Sequence, residues 1–310
     1  MASPSDAYGR IAPFETGRTT GLLTANSTSY TRIDLSFAGQ ACIVLVPDAV
    51  QLRTDVTLVQ HSHGVADDRT HVVSARMKTT TDGMLDRGWV VTSHDMHGNN
   101  WGSEQAMGDL RDVYHWAAQQ WHVKRVVLHG FSMGGYTTYV ALGGKIVPDI
   151  AATITVNGVV DGFTSWASDL RGIYGGMSDV ETQGYMVGHD PARDDPQRWA
   201  GDPIFMIGGT GDSVVPPAQH MDVFLARAAT PAAIHYELGT HGHLAGFLPE
   251  LALPWADAYA PTYTTQTPYG APVPNWPQDP PPETPPSGLY RTNGAEVSLY
   301  DTSGQSATIN

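Results

Sequence analysis

Apolar residues fall in short runs along this chain, and the rhythm of the runs changes once. Over residues 30–37 (YTRIDLSF) hydrophobic and polar positions alternate, and 41–48 (ACIVLVPD) follows after Ala-Gly, which predicts an opening antiparallel pair. Later strand candidates at 56–61, 89–94, 125–130, 151–156, 203–208 and 234–238 are nearly continuous in apolar character. Segments with helical periodicity separate them, notably 104–120, 133–143 and 217–229. That succession predicts an α/β fold with a largely parallel sheet covered by helices. Residues 162–200 break the pattern: they are polar, contain glycine, and carry Trp166, Tyr174, Tyr185 and Trp199. They fit an insertion over the C-terminal edge of the sheet, in a position suited to a lid.

The periodicity stops near Tyr259. Ten of the 22 prolines lie between Pro261 and Pro286, where missing amide donors and fixed φ angles oppose helix and central strand. The expected organisation is therefore a catalytic-sized domain over 1–259, a Pro-rich linker or extended tail over 260–288, and a short hairpin or partner-docking segment over 289–310. An Asn-Gly turn signal between Leu289–Arg291 and Glu296–Tyr300 supports the hairpin.

The most informative stretch is RVVLHGFSMGGY, residues 125–136. A buried strand runs into Gly130-Phe131-Ser132-Met133-Gly134, and a helix candidate follows at once. Such a turn presents the Ser132 hydroxyl beside the free amides of a helix N-terminus, where developing negative charge is stabilised. Glycines are needed because a Cβ at either flank would crowd the neighbouring strand or helix. A plain glycine-rich packing turn would use the same letters, but its placement between strand and helix favours a nucleophile.

Serine at its ordinary pKa is a poor nucleophile, so the chemistry requires a base and an acid that orients it. Asp212 follows the strand candidate 203–208 in the loop GGTGD and is the expected acid, with Asp161 as the fallback. The last strand candidate runs into GTHGHLAGF and offers two bases. His243 is the expected base, because Gly242 frees its approach and Leu244 can anchor the loop; His241 is the alternative. The loop TLVQHSHGVADD after the first parallel strand can supply a second amide, so Val65 and Met133 are the expected oxyanion-hole pair.

With these residues in place the chain resembles the α/β-hydrolase superfamily, especially its esterase and dienelactone-hydrolase-like branches, over about residues 40–258. The resemblance implies an eight-stranded, mostly parallel sheet and a Ser, Asp, His order, matched here by Ser132, Asp212 and His243. One departure is the His-Ser-His-Gly spelling of the Val65 loop, where a single histidine before glycine is commoner in relatives. The implied activity is hydrolysis of carboxylic esters through an acyl-enzyme, with short-chain, carbohydrate-linked or polyester substrates all open and no cofactor required. A serine peptidase or amidase on the same triad is the first alternative. A noncatalytic binding module that kept a hydrolase scaffold is the second, suggested by the tail.

Charge and composition narrow the field further. Seventeen Lys and Arg against 31 Asp and Glu leave a net charge of -14, which opposes nucleic-acid binding and anionic membrane surfaces. No apolar run reaches membrane-spanning length, and MASPSDAYGR lacks the pattern of a secretory signal, so a cytoplasmic location is the default expectation. Cys42 is the single cysteine, which excludes an intrachain disulfide and reads as a buried strand residue. Among 13 histidines, His61, His63, His94 and His97, with Asp95, could be read as a zinc set. Parallel strands deliver their loops to one edge in any case, so packing and hydrogen bonding are the expected roles and no metal is expected.

Overall fold

The computed structural model describes residues 14–37, 39–228, 232–242, 248–263, 298–300 and 306–308. The chain divides into two units, Met1–Pro268 and Tyr269–Asn310.

In the first unit the two strand rhythms become two kinds of pairing. Strands β1 (Glu15–Leu23), β2 (Ser29–Phe37) and β3 (Gln40–Pro47) form an antiparallel ribbon, and β3 joins antiparallel to β5 (Val90–His94). From there β4 (Asp55–Ser62), β6 (His122–Phe131), β7 (Ile150–Val156), β8 (Ile204–Gly209) and β9 (Ala232–Glu237) continue in parallel. The spatial order is β1-β2-β3-β5-β4-β6-β7-β8-β9. The sheet thus has nine strands where eight were expected. The additional strand is β1, whose sequence ETGRTTGLL is largely polar, because an edge strand needs little apolar surface.

Helices α1 (Lys78–Asp86), α2 (Glu104–Gln120), α3 (Met133–Gly144), α4 (Ala167–Tyr174), α5 (Asp179–Tyr185), α6 (Met221–Arg227) and α7 (Pro249–Asp257) complete this unit. One core packs Leu58, Val126 and Leu128 of the sheet with Leu110, Tyr136, Tyr139 and Phe224 from α2, α3 and α6. The other packs Val59, Val127 and Phe131 with Met84 and Leu85 of α1 and Leu253 and Ala256 of α7. Alternate residues of β4 and β6 therefore serve opposite layers, as the pleat requires.

The segment between β7 and β8 contains α4 and α5, and aromatic side chains are among the groups that tie it down. Tyr136 Oη donates to the His189 carbonyl at 2.6 Å, Tyr174 Oη to the Trp101 carbonyl at 2.7 Å, and Trp199 Nε1 to the Tyr139 carbonyl at 2.8 Å. Trp101 is fully buried, edge-on to Tyr136. Past α7, Ala260 is buried and the Pro261 carbonyl accepts from Thr57 Oγ1 at 3.2 Å. In the second unit the described residues are β10 (Ser298–Tyr300) and β11 (Ser306–Thr308), an antiparallel pair. The strand candidate Leu289–Arg291 and residues 264–297 lie outside the described residues.

Candidate active site

Ser132 occupies the one residue between β6 and α3, with φ 54° and ψ -118°, a backbone state that costs a non-glycine residue about 1–3 kcal/mol. The surroundings hold it there. Its amide donates to the Val156 carbonyl at 3.0 Å, and its carbonyl accepts from Gly135 and Val159 at 2.9 and 3.0 Å. The glycines permit the turn by close backbone approach. A Cβ on Gly130 would stand 2.3 Å from the Gly134 carbonyl oxygen, and one on Gly134 would stand 1.9 Å from that of Ser62. The Gly134 contact also brings the loop after β4, which carries Val65, against the start of α3.

Asp212 follows β8. One carboxylate oxygen accepts the amides of Val214 and Val215, both at 2.8 Å, and the other faces His241. Burial pushes its carboxyl up, but the His241 ring N–H and the Val215 and Val214 amides outweigh burial and leave it below the usual carboxylate range. The acid loop is stitched to the chain that leaves β9: Thr210 N donates to the Glu237 carbonyl at 2.8 Å and Gly211 N to that of Gly239 at 2.9 Å. Two residues beyond Gly239, His241 bridges the set. Its Nδ1 is 2.7 Å from Asp212 Oδ2 and its Nε2 is 3.1 Å from Ser132 Oγ. Gly242, with φ 68°, turns the backbone immediately afterwards.

The histidine joined to both partners is thus His241, whereas His243, the expected base, lies outside the described residues. The crossover at Gly211 and Gly239 delivers His241 to Ser132. Sequence reasoning misses that crossover because it depends on backbone bonds between two loops. Asp161, the fallback acid, instead receives Arg193 through both guanidinium nitrogens at 3.0 Å.

The other loop histidines have separate tasks. His63 is within 2.8 Å of the Gly64 carbonyl and 3.0 Å of the Asp95 carbonyl, so it pins the Val65 loop to the loop after β5. Asn99 Oδ1 accepts the Ala66 amide at 3.0 Å on the same loop. Among the described residues no group of three or more His, Cys, Asp or Glu side chains is arranged to hold a metal ion. Cys42 is buried in β3, and burial pushes its thiol far up, away from a reactive thiolate. Among the described residues no helix is long and apolar enough to cross a membrane.

A mixed, largely parallel sheet between helical layers, with a strained serine between strand and helix, defines an α/β-hydrolase-superfamily fold of the serine-hydrolase type. Residues 83–241, just over half of the chain, match the prolyl oligopeptidase family, and the chain belongs to that family. The dienelactone-hydrolase-like branch expected from the sequence is not singled out. Among solved structures, the chain is similar to an S-formylglutathione hydrolase from Agrobacterium tumefaciens (TM-score 0.62, 12% identity, 80% of this chain and 99% of that one). It is also similar to the fluorophosphonate-binding serine hydrolase F of Staphylococcus aureus (0.56, 16%, 74% and 98%). A third is Est1E from Butyrivibrio proteoclasticus (0.52, 13%, 74% and 96%). At these identities the likeness is one of fold. No curated protein sequence matches the chain.

Proposed function

We propose that this protein is a serine hydrolase of carboxylic esters in which Ser132 is the nucleophile, His241 the base and Asp212 the orienting acid. The observation that carries the reading is the bridge made by His241 between Ser132 Oγ and Asp212 Oδ2. His241 replaces His243 in the role expected from the sequence. In the first step Ser132 Oγ attacks the acyl carbonyl while its proton passes to His241 Nε2, and Asp212 stabilises the resulting imidazolium from Nδ1. The amides of Val65 and Met133 hold the tetrahedral oxyanion; Met133 begins α3, where an amide has no carbonyl of its own helix to bond. His241 then protonates the departing alkoxide, the alcohol leaves, and the same histidine activates water to release the acid.

Ester cleavage is the first reading because the similar S-formylglutathione hydrolase is covered over 99% of its length, whereas a similar Bacteroides ovatus protein named as a dipeptidyl aminopeptidase IV is covered over only 36%. A cleft of about 480 Å³ beside the Asn99 loop, lined by His97, Asn100, Glu104, Tyr174 and Tyr185 among others, has no Lys or Arg in its lining. The second reading, a peptidase or amidase on the same residues, is favoured by membership of the prolyl oligopeptidase family. A panel of activated esters of increasing acyl length and matched amides separates the two, run with the parent chain and Ser132→Ala. Ester turnover that disappears in Ser132→Ala is expected. Amide turnover exceeding ester turnover would move the assignment to the second reading, and activity surviving Ser132→Ala would remove both.

A further inference from the structure

The Phe131 ring, which lies 5.2 Å from the ring of His241, is backed by a row of buried histidines that the reaction does not consume. His61 of β4 and His129 of β6 are register partners in the parallel ladder, and their Nδ1 atoms are 2.9 Å apart. His61 Nε2 is 2.8 Å from His71 Nδ1, and His71 Nε2 is 3.9 Å from Asp67 Oδ2. The His71 ring stacks on Phe131 with centroids 5.3 Å apart and planes at 24°. A continuous path therefore runs His129, His61, His71, Phe131, His241.

Proton accounting gives this row a direction. Each nitrogen-to-nitrogen contact needs one N–H and one lone pair, so the tautomer of one ring fixes the others. In the outward order His129 donates from Nδ1, His61 accepts at Nδ1 and donates from Nε2, and His71 accepts at Nδ1 and carries its proton on Nε2, toward the Asp67 carboxylate. The inward order places an N–H on His129 Nε2, which is buried with no hydrogen-bond partner among the described residues. It also turns a His71 lone pair toward Asp67. The outward order aims the buried His71 Nε2–H at the Asp67 carboxylate, 3.9 Å away and beyond hydrogen-bond distance, so it is the charge of Asp67 that favours the outward order. The row is also neutral: burial pushes His129 down to about 3 and His71 to about 4, and it lowers His61 well below the ordinary value, with the neighbouring rings adding to the effect on His61.

We infer that this neutral, proton-ordered row is a brace and that His71 is a positioning residue, acting through Phe131 to hold the His241 ring over Ser132. The inference rests on the proposed roles of Ser132 and His241. A purely space-filling core histidine would make the same contacts without setting the rate of the serine reaction.

Nitrogen NMR of the full chain, labelled at histidine, reads the order directly. At neutral pH the expected pattern is Nδ1–H on His129 and Nε2–H on both His61 and His71. An Nε2–H on His129, or a charged ring in any of the three, would overturn the brace. The positioning role is read from the saturating rate and the half-saturation concentration of Ser132 phosphonylation by a fluorophosphonate. His71→Asn keeps an acceptor where Nδ1 stands but removes the stacked ring, and Phe131→Leu removes the ring that transmits its position. Each should slow the saturating rate about 10- to 100-fold, as for a small misplacement of a catalytic group, with half-saturation nearly unchanged. His71→Phe keeps a ring against Phe131 but severs the link to His61, so it should leave the rate low; recovery of the parent rate would show simple space-filling and overturn the brace. If His71→Asn fails to fold, His71→Phe decides in its place, since it removes the link to His61. Rates within about 3-fold of the parent would overturn the positioning role, being too small for even a modest misplacement. No labelling of the parent chain at Ser132 would overturn the catalytic reading and the positioning role with it, whereas the NMR pattern would still decide the proton order.

Discussion

Asp212 and Asp109 are both buried carboxylates facing histidine rings, and they are held in opposite ways. Asp212 collects three N–H groups at hydrogen-bond distance, from His241, Val214 and Val215, which overcome burial and keep it an anion. Asp109 of α2 has His97 Nε2 at 3.4 Å and His94 Nδ1 at 3.8 Å, and its Oδ2 has no hydrogen-bond partner among the described residues. Burial prevails there and pushes its carboxyl up to about 6, despite the opposing effect of His97. Burial likewise pushes His94 down to about 3. A nearby histidine does not by itself make an orienting anion; the number of N–H groups aimed at the carboxylate decides.

The contrast is most sharply broken or kept by amide substitution at both sites. Asp212→Asn should lower kcat for ester hydrolysis about 10⁴-fold, through loss of the tautomer that leaves His241 Nε2 free to accept. Asp109→Asn should change kcat by less than about 10-fold, in the range of effects that do not touch an acid or base. Comparable losses in the two variants would erase the distinction. Backbone crowding gives the next largest difference. Gly134→Ala forces a methyl onto the Ser62 carbonyl and should cost at least about 3 kcal/mol in denaturant unfolding, if the variant folds.

Much of this arrangement is legible in the sequence, and the rest is not for identifiable reasons. The apolar runs and the glycines around Ser132 mark strand, turn and helix because each is a local steric demand. Asp212 is legible as a loop residue at the end of a strand. The choice between His241 and His243 is not, because it depends on Gly211 and Gly239 bonding across two loops. The His61–His129 contact is equally hidden: it requires the register of two strands whose facing histidines are 68 positions apart. Strand β1 escapes because polar edge strands carry no hydrophobic rhythm.

Acid and base titrations refine the comparison at a smaller scale. Asp109 binds its proton more tightly in the folded chain than in the unfolded one, so its contribution favours folding below about pH 4 and is lost as pH rises toward 6. Relative to the parent, Asp109→Asn should therefore gain about 2–4 °C in Tm between these pH values, for a change near 1 kcal/mol. A Tm difference that stays flat with pH would show that Asp109 titrates normally. The smallest effect is expected at the neighbouring Gly108, where an added Cβ meets nothing within 4 Å. Gly108→Ala should stabilise α2 by about 0.5–1 kcal/mol, opposite in sign to Gly134→Ala.

The central claim is that His241 serves Ser132, and paired alanine variants at the two loop histidines test it most directly. Ester hydrolysis by His241→Ala should fall at least about 10⁴-fold while His243→Ala stays within about 10-fold of the parent. Retention of activity in His241→Ala together with its loss in His243→Ala would contradict the account.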